Sequence, residues 1–328
     1  TLVCMWLFRS YAFFFFEVRN MAIKEFQNEG YKLILVEIIR DIYYSDISYS
    51  SRLVLIRKLT EIISRKILNM GENEPMELGD IVYSSPKNTP KVFEKMKLLD
   101  KRIESDFRNC VDELRQIGNK YTHTKFAKPA TLEEVKNADE LLSNLFSIMF
   151  TQYFLKYPLT LESNSLVLHS FSFLPPKIRL KILKRLLKLI ENEYTFSYIM
   201  LLDKFLLAKI KVEGLQSGYD CLKNNEKKIR SLPYPDEDSI DAYYTKNNGV
   251  VTLPLSCFDN AYDLLNNKLK QLEKLDVEIG NLYTEFEEAV KYYEENNVLS
   301  DLYGQKELEE FRVILEFAFI GREGILKK

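Results

Sequence analysis

Asp112–His123 reads DELRQIGNKYTH, and this stretch decides the fold. Arg115, Asn119 and His123 stand four and eight residues apart, so on one continuous helix they drift by only ~80° and form a stripe. Gly118 stands in the interior of the same helix. A helix-interior glycine is unfavourable by about 1 kcal/mol relative to alanine, and it is tolerated where another chain segment must approach closely. The helix is expected to run from Leu98 to His123, with Gly118 as its point of close packing.

Helical signals continue on both sides. Upstream, Leu53, Ile56, Leu59, Ile63 and Ile67 recur at helical spacing, while Arg57, Lys58, Glu61 and Lys66 take the other faces. That helix should end near Asn69, with Gly71 and Pro75 after it. A short helix is expected at Met76–Tyr83, and Thr89 before Pro90 reads as an N-cap with proline in the first helical position. Downstream, the loop Thr124–Ala130 leads to Thr131 and Glu134, spaced as a capping box. The helix they open carries Val135, Ala138, Leu142, Leu145 and Met149 on one face.

With only 11 Gly and 10 Pro in 328 residues, the expectation is an all-α fold. The length suits two folded units, or one with a large extension. We expect an N-terminal helical extension over 1–49, a helical bundle over 50–158 and a second helical module over 159–328, with a polar linker near Pro158–Ser165. Helices in the last part are expected at Pro176–Asn192, Thr195–Val212, Gly214–Lys223, Ser256–Leu275, Gly280–Asn296 and Lys306–Phe319. Leu232–Asp238 reads as an exposed turn and Gly249–Leu253 as a short extended segment. No fixed period repeats along the chain.

Lys plus Arg number 46 against 48 Asp plus Glu, so no global positive field recruits nucleic acid, and any such binding must be local. The four cysteines, Cys4, Cys110, Cys221 and Cys257, form no CxxC pair and read as buried reduced thiols of a cytoplasmic protein. Two histidines, His123 and His169, are too few for a multi-histidine metal centre. Leu2–Phe8 and Tyr11–Phe16 are apolar but broken by Arg9 and Ser10, short of the ~20 apolar residues of a spanning helix, so no membrane anchor is expected. No GxxxxGK[ST], GxGxxG after a strand, GxSxG or HExxH occurs, which leaves nucleotide hydrolysis, dehydrogenase, serine-hydrolase and zinc-protease chemistry without a motif.

LRQIGNKYTH, preceded by LVLIRKLTEIISRKIL and MELGDIV and followed by PATLEEVKNADELLSNLF, resembles the HEPN superfamily over about residues 50–158. The likeness is to the uncharacterised branch found in restriction and phage-defence proteins. It implies a helical bundle that pairs as a homodimer and acts on RNA without metal or cofactor. His123 would serve as general acid and base, Arg115 would stabilise the phosphate, and Asn119 would orient one of them. The seven residues between Arg115 and His123 exceed the family's usual spacing. The other reading is a non-catalytic adaptor. The stripe then supports the fold, with Arg115 paired to Asp112 or Glu113, and the C-terminal helices recruit a protein partner.

A secondary RNA-binding face is expected on Pro176–Ile190, where Lys177, Lys181, Lys184, Arg185 and Lys188 interleave with Ile178, Ile182, Leu183, Leu186 and Leu187. The alternative is the solvated side of an amphipathic helix. His169, in the apolar Leu166–Phe173 stretch, reads as a core histidine. Tyr43, Tyr44, Tyr49, Tyr83, Tyr243 and Tyr244 fall in segments expected to be exposed.

Overall fold

A computed structural model describes residues 25–123, 126–160, 163–190, 196–246, 253–274 and 286–322. The N-terminal apolar runs, the Gly249–Leu253 segment up to its last residue and the start of the helix expected from Gly280 lie outside the described residues. Within them the regular elements are fifteen α-helices and two 3-10 turns, with no strand. The fold is all-α. The first six helices are α1 (Asn28–Tyr43), α2 (Tyr49–Leu68), α3 (Leu78–Val82), α4 (Pro90–Lys97), α5 (Lys101–Thr122) and α6 (Leu132–Lys156). Then come α7 (Ser165–Ser172), α8 (Pro176–Leu189), α9 (Phe196–Glu213), α10 (Leu215–Asn224), α11 (Glu226–Arg230), α12 (Glu237–Lys246), α13 (Ala261–Lys274), α14 (Phe286–Glu295) and α15 (Lys306–Phe319).

The central trio is α2, α5 and α6, each packed on the other two. On α5 the buried set is Ile103, Phe107, Cys110, Val111, Leu114 and Gly118, recurring every three or four residues as a core-facing stripe must. It meets Leu53, Ile56, Leu59 and Ile63 of α2 and Val135, Ala138, Leu142 and Leu145 of α6, all buried. Each large apolar side chain taken from water in this way contributes about 1.5–3 kcal/mol. α1 packs on α2, and α3 packs on α5.

Local signals set the helix ends. The Asp100 side chain accepts from the Arg102 amide at 2.9 Å, so α5 starts at Lys101 rather than at Leu98, which is 75% exposed. α2 ends at Asn69, in the left-handed region at φ 51°. The capping box of α6 forms as expected: the Thr131 hydroxyl accepts from the Glu134 amide, and the Glu134 carboxylate accepts from the Thr131 amide. Pro90 opens α4 and Thr89 stands at its N-cap position as expected, but the Thr89 side chain makes no cap bond there. Its hydroxyl accepts from the Ser85 amide at 3.1 Å and closes the preceding turn instead.

Beyond residue 158, α8 packs on α6 and α9, α9 on α10, and α13 on α10 and α11. α15 comes back to the first half of the chain, where Phe311 sits among Phe150, Tyr153 and Phe154. The Tyr153 hydroxyl donates to the Glu307 carbonyl at 3.1 Å, and Asn28 Nδ2 donates to the Val313 carbonyl at 2.9 Å. Further elements differ from expectation. α12 begins at Glu237, inside the stretch read as a turn, and α7 fills the apolar segment after the linker. Among the described residues no helix is long and apolar enough to cross a membrane.

Candidate functional site

The C-terminal half of α5 carries the stripe, and the structure treats its three members differently. Arg115 is mostly covered, its side chain 19% exposed. Its Nε and Nη2 donate to Asp112 Oδ1 at 3.0 and 2.6 Å, and Nη2 also reaches the Tyr83 hydroxyl at 3.3 Å. The guanidinium lies 5.5 Å from the centroid of the Tyr83 ring, a cation–π distance. Asn119 is half-buried on the next turn. His123 has stepped off the helix into extended backbone (φ −108°, ψ 139°) and is exposed. Eight residues of helix span about 12 Å, so Arg115 and His123 of one chain stand apart rather than converging on one atom.

Tyr83 is held over Arg115 by a third residue. Arg108 donates to the Ile81 and Val82 carbonyls and to the Ser84 hydroxyl, and pairs with Glu104 at 2.7 Å. This pins the end of α3 against α5 while leaving Tyr83 itself 67% exposed.

Gly118 marks the close approach expected of it. A Cβ there would stand 2.4 Å from Cβ of Arg57, and the stem of Arg57 runs across the gap. Arg57 therefore enters the site from α2. Its buried Nε has no hydrogen-bond partner among the described residues, so this arginine, unlike Arg115, is not neutralised by a carboxylate there.

At the helix end, Glu134 accepts from Lys120 Nζ and from the Tyr121 hydroxyl, each at 2.7 Å. The hydrogen bond from Lys120, then those from Tyr121 and the Thr131 amide, pull its carboxyl down to about 2. Lys120 Nζ also lies 4.2 Å from the Phe126 ring centroid, and Tyr121 meets Phe126 edge to face at 5.7 Å. The Ala130 amide donates to the Ser50 hydroxyl at 3.0 Å. Both contacts tie the chain after His123 back to the bundle, and His123 stays at its surface.

The basic face of α8 divides in two. Lys177 and Lys181 pair with Glu140, Lys181 also donates to Asn144, and Arg185 reaches Ser147 and Asp106, so these three fasten α8 to α5 and α6. Only Lys184 and Lys188 of the five are exposed.

Other expectations change. His169 is not a core residue: it is exposed and meets Phe173 edge to face at 5.0 Å. Tyr243, expected at the surface, is 3% exposed. Of the cysteines, Cys110 is buried, donates to the Leu141 carbonyl and is pushed up to about 12 by burial, whereas Cys221 is half-buried and Cys257 exposed. Among the described residues no three His, Cys, Asp or Glu side chains gather as metal ligands. No known protein family, characterised protein or solved structure matches the chain.

Tyr83 was named from the sequence only as an exposed tyrosine, and Arg57 only as a residue off the apolar face of its helix. Gly118 was the available signal for Arg57, because a glycine inside a helix asks what lies against it.

Proposed function

We propose that the chain is a HEPN-like, RNA-acting protein whose site lies along the C-terminal half of α5 and works as an endoribonuclease, in a homodimer and in an anti-phage defence setting. The observation that carries the reading is the packing of Arg57 on Gly118: an arginine with no carboxylate partner among the described residues lays its stem against α5 within the segment that carries Arg115 and Asn119. A phosphate would take up the donors that this arginine leaves unused, since guanidinium forks match phosphate oxygens. His123 is exposed at the helix end, within reach of a bound RNA as an acid or base.

In this reading His123 takes the proton of the RNA 2′-hydroxyl, the 2′-oxygen attacks phosphorus, and the 5′-oxygen of the next nucleotide leaves with a proton drawn from water, to which His123 then returns its own. The products are a 2′,3′-cyclic phosphate and a 5′-hydroxyl. Arg57 and Arg115 stabilise the charge that builds on the phosphoryl oxygens. Exposed Tyr83, beside Arg115, offers a face on which a base can stack.

The second reading, a non-catalytic adaptor with a protein partner on the C-terminal helices, is favoured by one observation, the Arg115–Asp112 pair. The two separate in one experiment. Purified protein is incubated with mixed RNAs, and cyclic-phosphate ends are counted for the wild type, His123→Ala, Arg57→Ala and Arg115→Ala. The ribonuclease reading expects His123→Ala to lose roughly 10²-fold or more in rate. Equal rates in wild type and His123→Ala, or intact RNA throughout, would end it and leave the adaptor.

A further inference from the structure

A cavity of about 350 Å³ opens between α8, α9, α10 and α11, with no residue of the α5 site in its lining. Leu202, Leu206, Leu222 and Ile229 on its wall are buried, and Leu187 and Phe205 are half-buried. The other lining residues are Tyr198, Cys221, Asn225 and the three lysines Lys184, Lys188 and Lys228, with no carboxylate among them. Burial pushes the Cys221 thiol up, so it acts as a small neutral group, and Asn225 donates to the Cys221 carbonyl at 2.8 Å. The only charges lining the cavity are positive.

The surrounding helices do not offset them. α8 to α11 carry thirteen lysines and arginines against four carboxylates, in a chain whose net charge is −2. Each of the four carboxylates is engaged elsewhere: Asp203 with Lys268, Glu213 with Lys209, Asp220 with Gln216 and Glu226 with Arg230. Lys184 and Lys188 are exposed and meet no carboxylate among the described residues, unlike Lys177, Lys181 and Arg185 on the same helix. They stand one turn apart, where like charges repel. An anion held between them relieves that repulsion.

The apolar wall says what the anion is attached to. Bases of a nucleic acid need an open ring face to stack on, whereas Tyr198 is 8% exposed and most of the wall is leucine and isoleucine. Such a surface suits a hydrocarbon. The volume lies near the lower end of the range for small-molecule sites, about 300–1,000 Å³, which suits one chain rather than the two tails of a phospholipid.

We propose that this cavity binds a single-chain fatty carboxylate of medium length. The chain lies against Leu187, Leu202, Phe205 and Leu206, and the carboxylate sits between Lys184 and Lys188. Catalysis at α5 plays no part in it.

The test is calorimetric titration of the full chain with hexanoate, octanoate, decanoate, 1-octanol and octylammonium, and with a short single-stranded RNA. Each pair of added methylenes should tighten the carboxylate about fivefold or more while the wall takes them up. Octanoate should bind several-fold more tightly than 1-octanol, and octylammonium more weakly than either. Replacing both exposed lysines, Lys184→Gln with Lys188→Gln, should erase the preference for octanoate and leave 1-octanol binding as before. Leu187→Gln should flatten the chain-length series; its thermal unfolding is recorded alongside, and the lysine variant is sufficient alone. No binding of decanoate at millimolar concentration, affinity independent of chain length, octylammonium binding as tightly as octanoate, or a preference for octanoate that survives the loss of both lysines would overturn the proposal. So would RNA binding that needs the two lysines while decanoate does not bind, which would make the face a nucleic-acid contact instead.

Discussion

Arg57 and Arg65 stand on the same helix, eight residues apart, and the fold uses them in opposite ways. Arg65 is 9% exposed. Its Nη1 donates to the carbonyls of Gly71 and Glu74, and its Nη2 donates to that of Met76, with Glu61 3.6 Å away. Those bonds fold the loop after α2 back on the helix. Arg57 has nothing comparable: its stem fills the gap over Gly118 and its buried Nε is unsatisfied among the described residues. An arginine whose donors are taken up by backbone carbonyls is part of the scaffold. One with no carboxylate or carbonyl partner among the described residues is available for an anion.

The largest expected effect tests the scaffold half of this contrast. Arg65→Met removes three bonds to carbonyls and leaves those oxygens covered, so chemical denaturation should show a loss of about 3 kcal/mol or more. Arg57→Met keeps an apolar stem over Gly118 and should stay within about 1 kcal/mol of the wild type. Equal losses in the two variants would erase the distinction and with it the main support for Arg57 as a phosphate contact.

A smaller effect probes the approach itself. Gly118→Ala gains about 1 kcal/mol of helix propensity but sets a methyl against Cβ of Arg57, near the backbone of α2, where little can yield. The net expectation is a loss of about 1–2 kcal/mol. Gly79→Ala is the control, since a Cβ there meets nothing within 4 Å, and it should be neutral or stabilising by up to about 1 kcal/mol. A stable Gly118→Ala protein would mean that α2 and α5 are not pressed together at this point.

These contrasts also show what the sequence makes legible. The Thr131–Glu134 box, the end of α2 at Asn69 and the bounds of α15 at Lys306–Phe319 follow from residues within a turn of one another. Gly118 announces a close neighbour without naming it, because Arg57 lies 61 residues away in the chain. Tyr83 reaches Arg115 only because Arg108 anchors the end of α3. The five cations of α8 look alike on a helical projection, and only Glu140, Asn144, Ser147 and Asp106 decide which face inward. Thr89 before Pro90 marks the N-cap position but not the bond, since a hydroxyl that can cap forwards can equally accept from the turn behind it.

The smallest effect concerns the far end of the same site, where Glu134 replaces the carbonyls that serve Arg65. Its carboxyl is held at about 2 against an ordinary 4.5, first by Lys120 and then by Tyr121 and Thr131. A carboxyl lowered in the folded state stabilises fully above the unfolded value and loses that contribution as pH falls through the folded one. Wild type and Glu134→Gln should therefore differ by a constant amount from pH 8 to about 5, converge below about 4.5 and coincide near pH 2. Because the group is partly exposed to solvent, the difference should be under about 1 kcal/mol, not the larger figure an unscreened shift would give. Urea midpoints at pH 7, 5 and 4, with amide exchange at the first turn of α6, measure it. A difference that grows as pH falls would mean that the carboxylate repels rather than holds Lys120, and that the segment after His123 is fixed by the Phe126 contacts and the Ala130–Ser50 hydrogen bond.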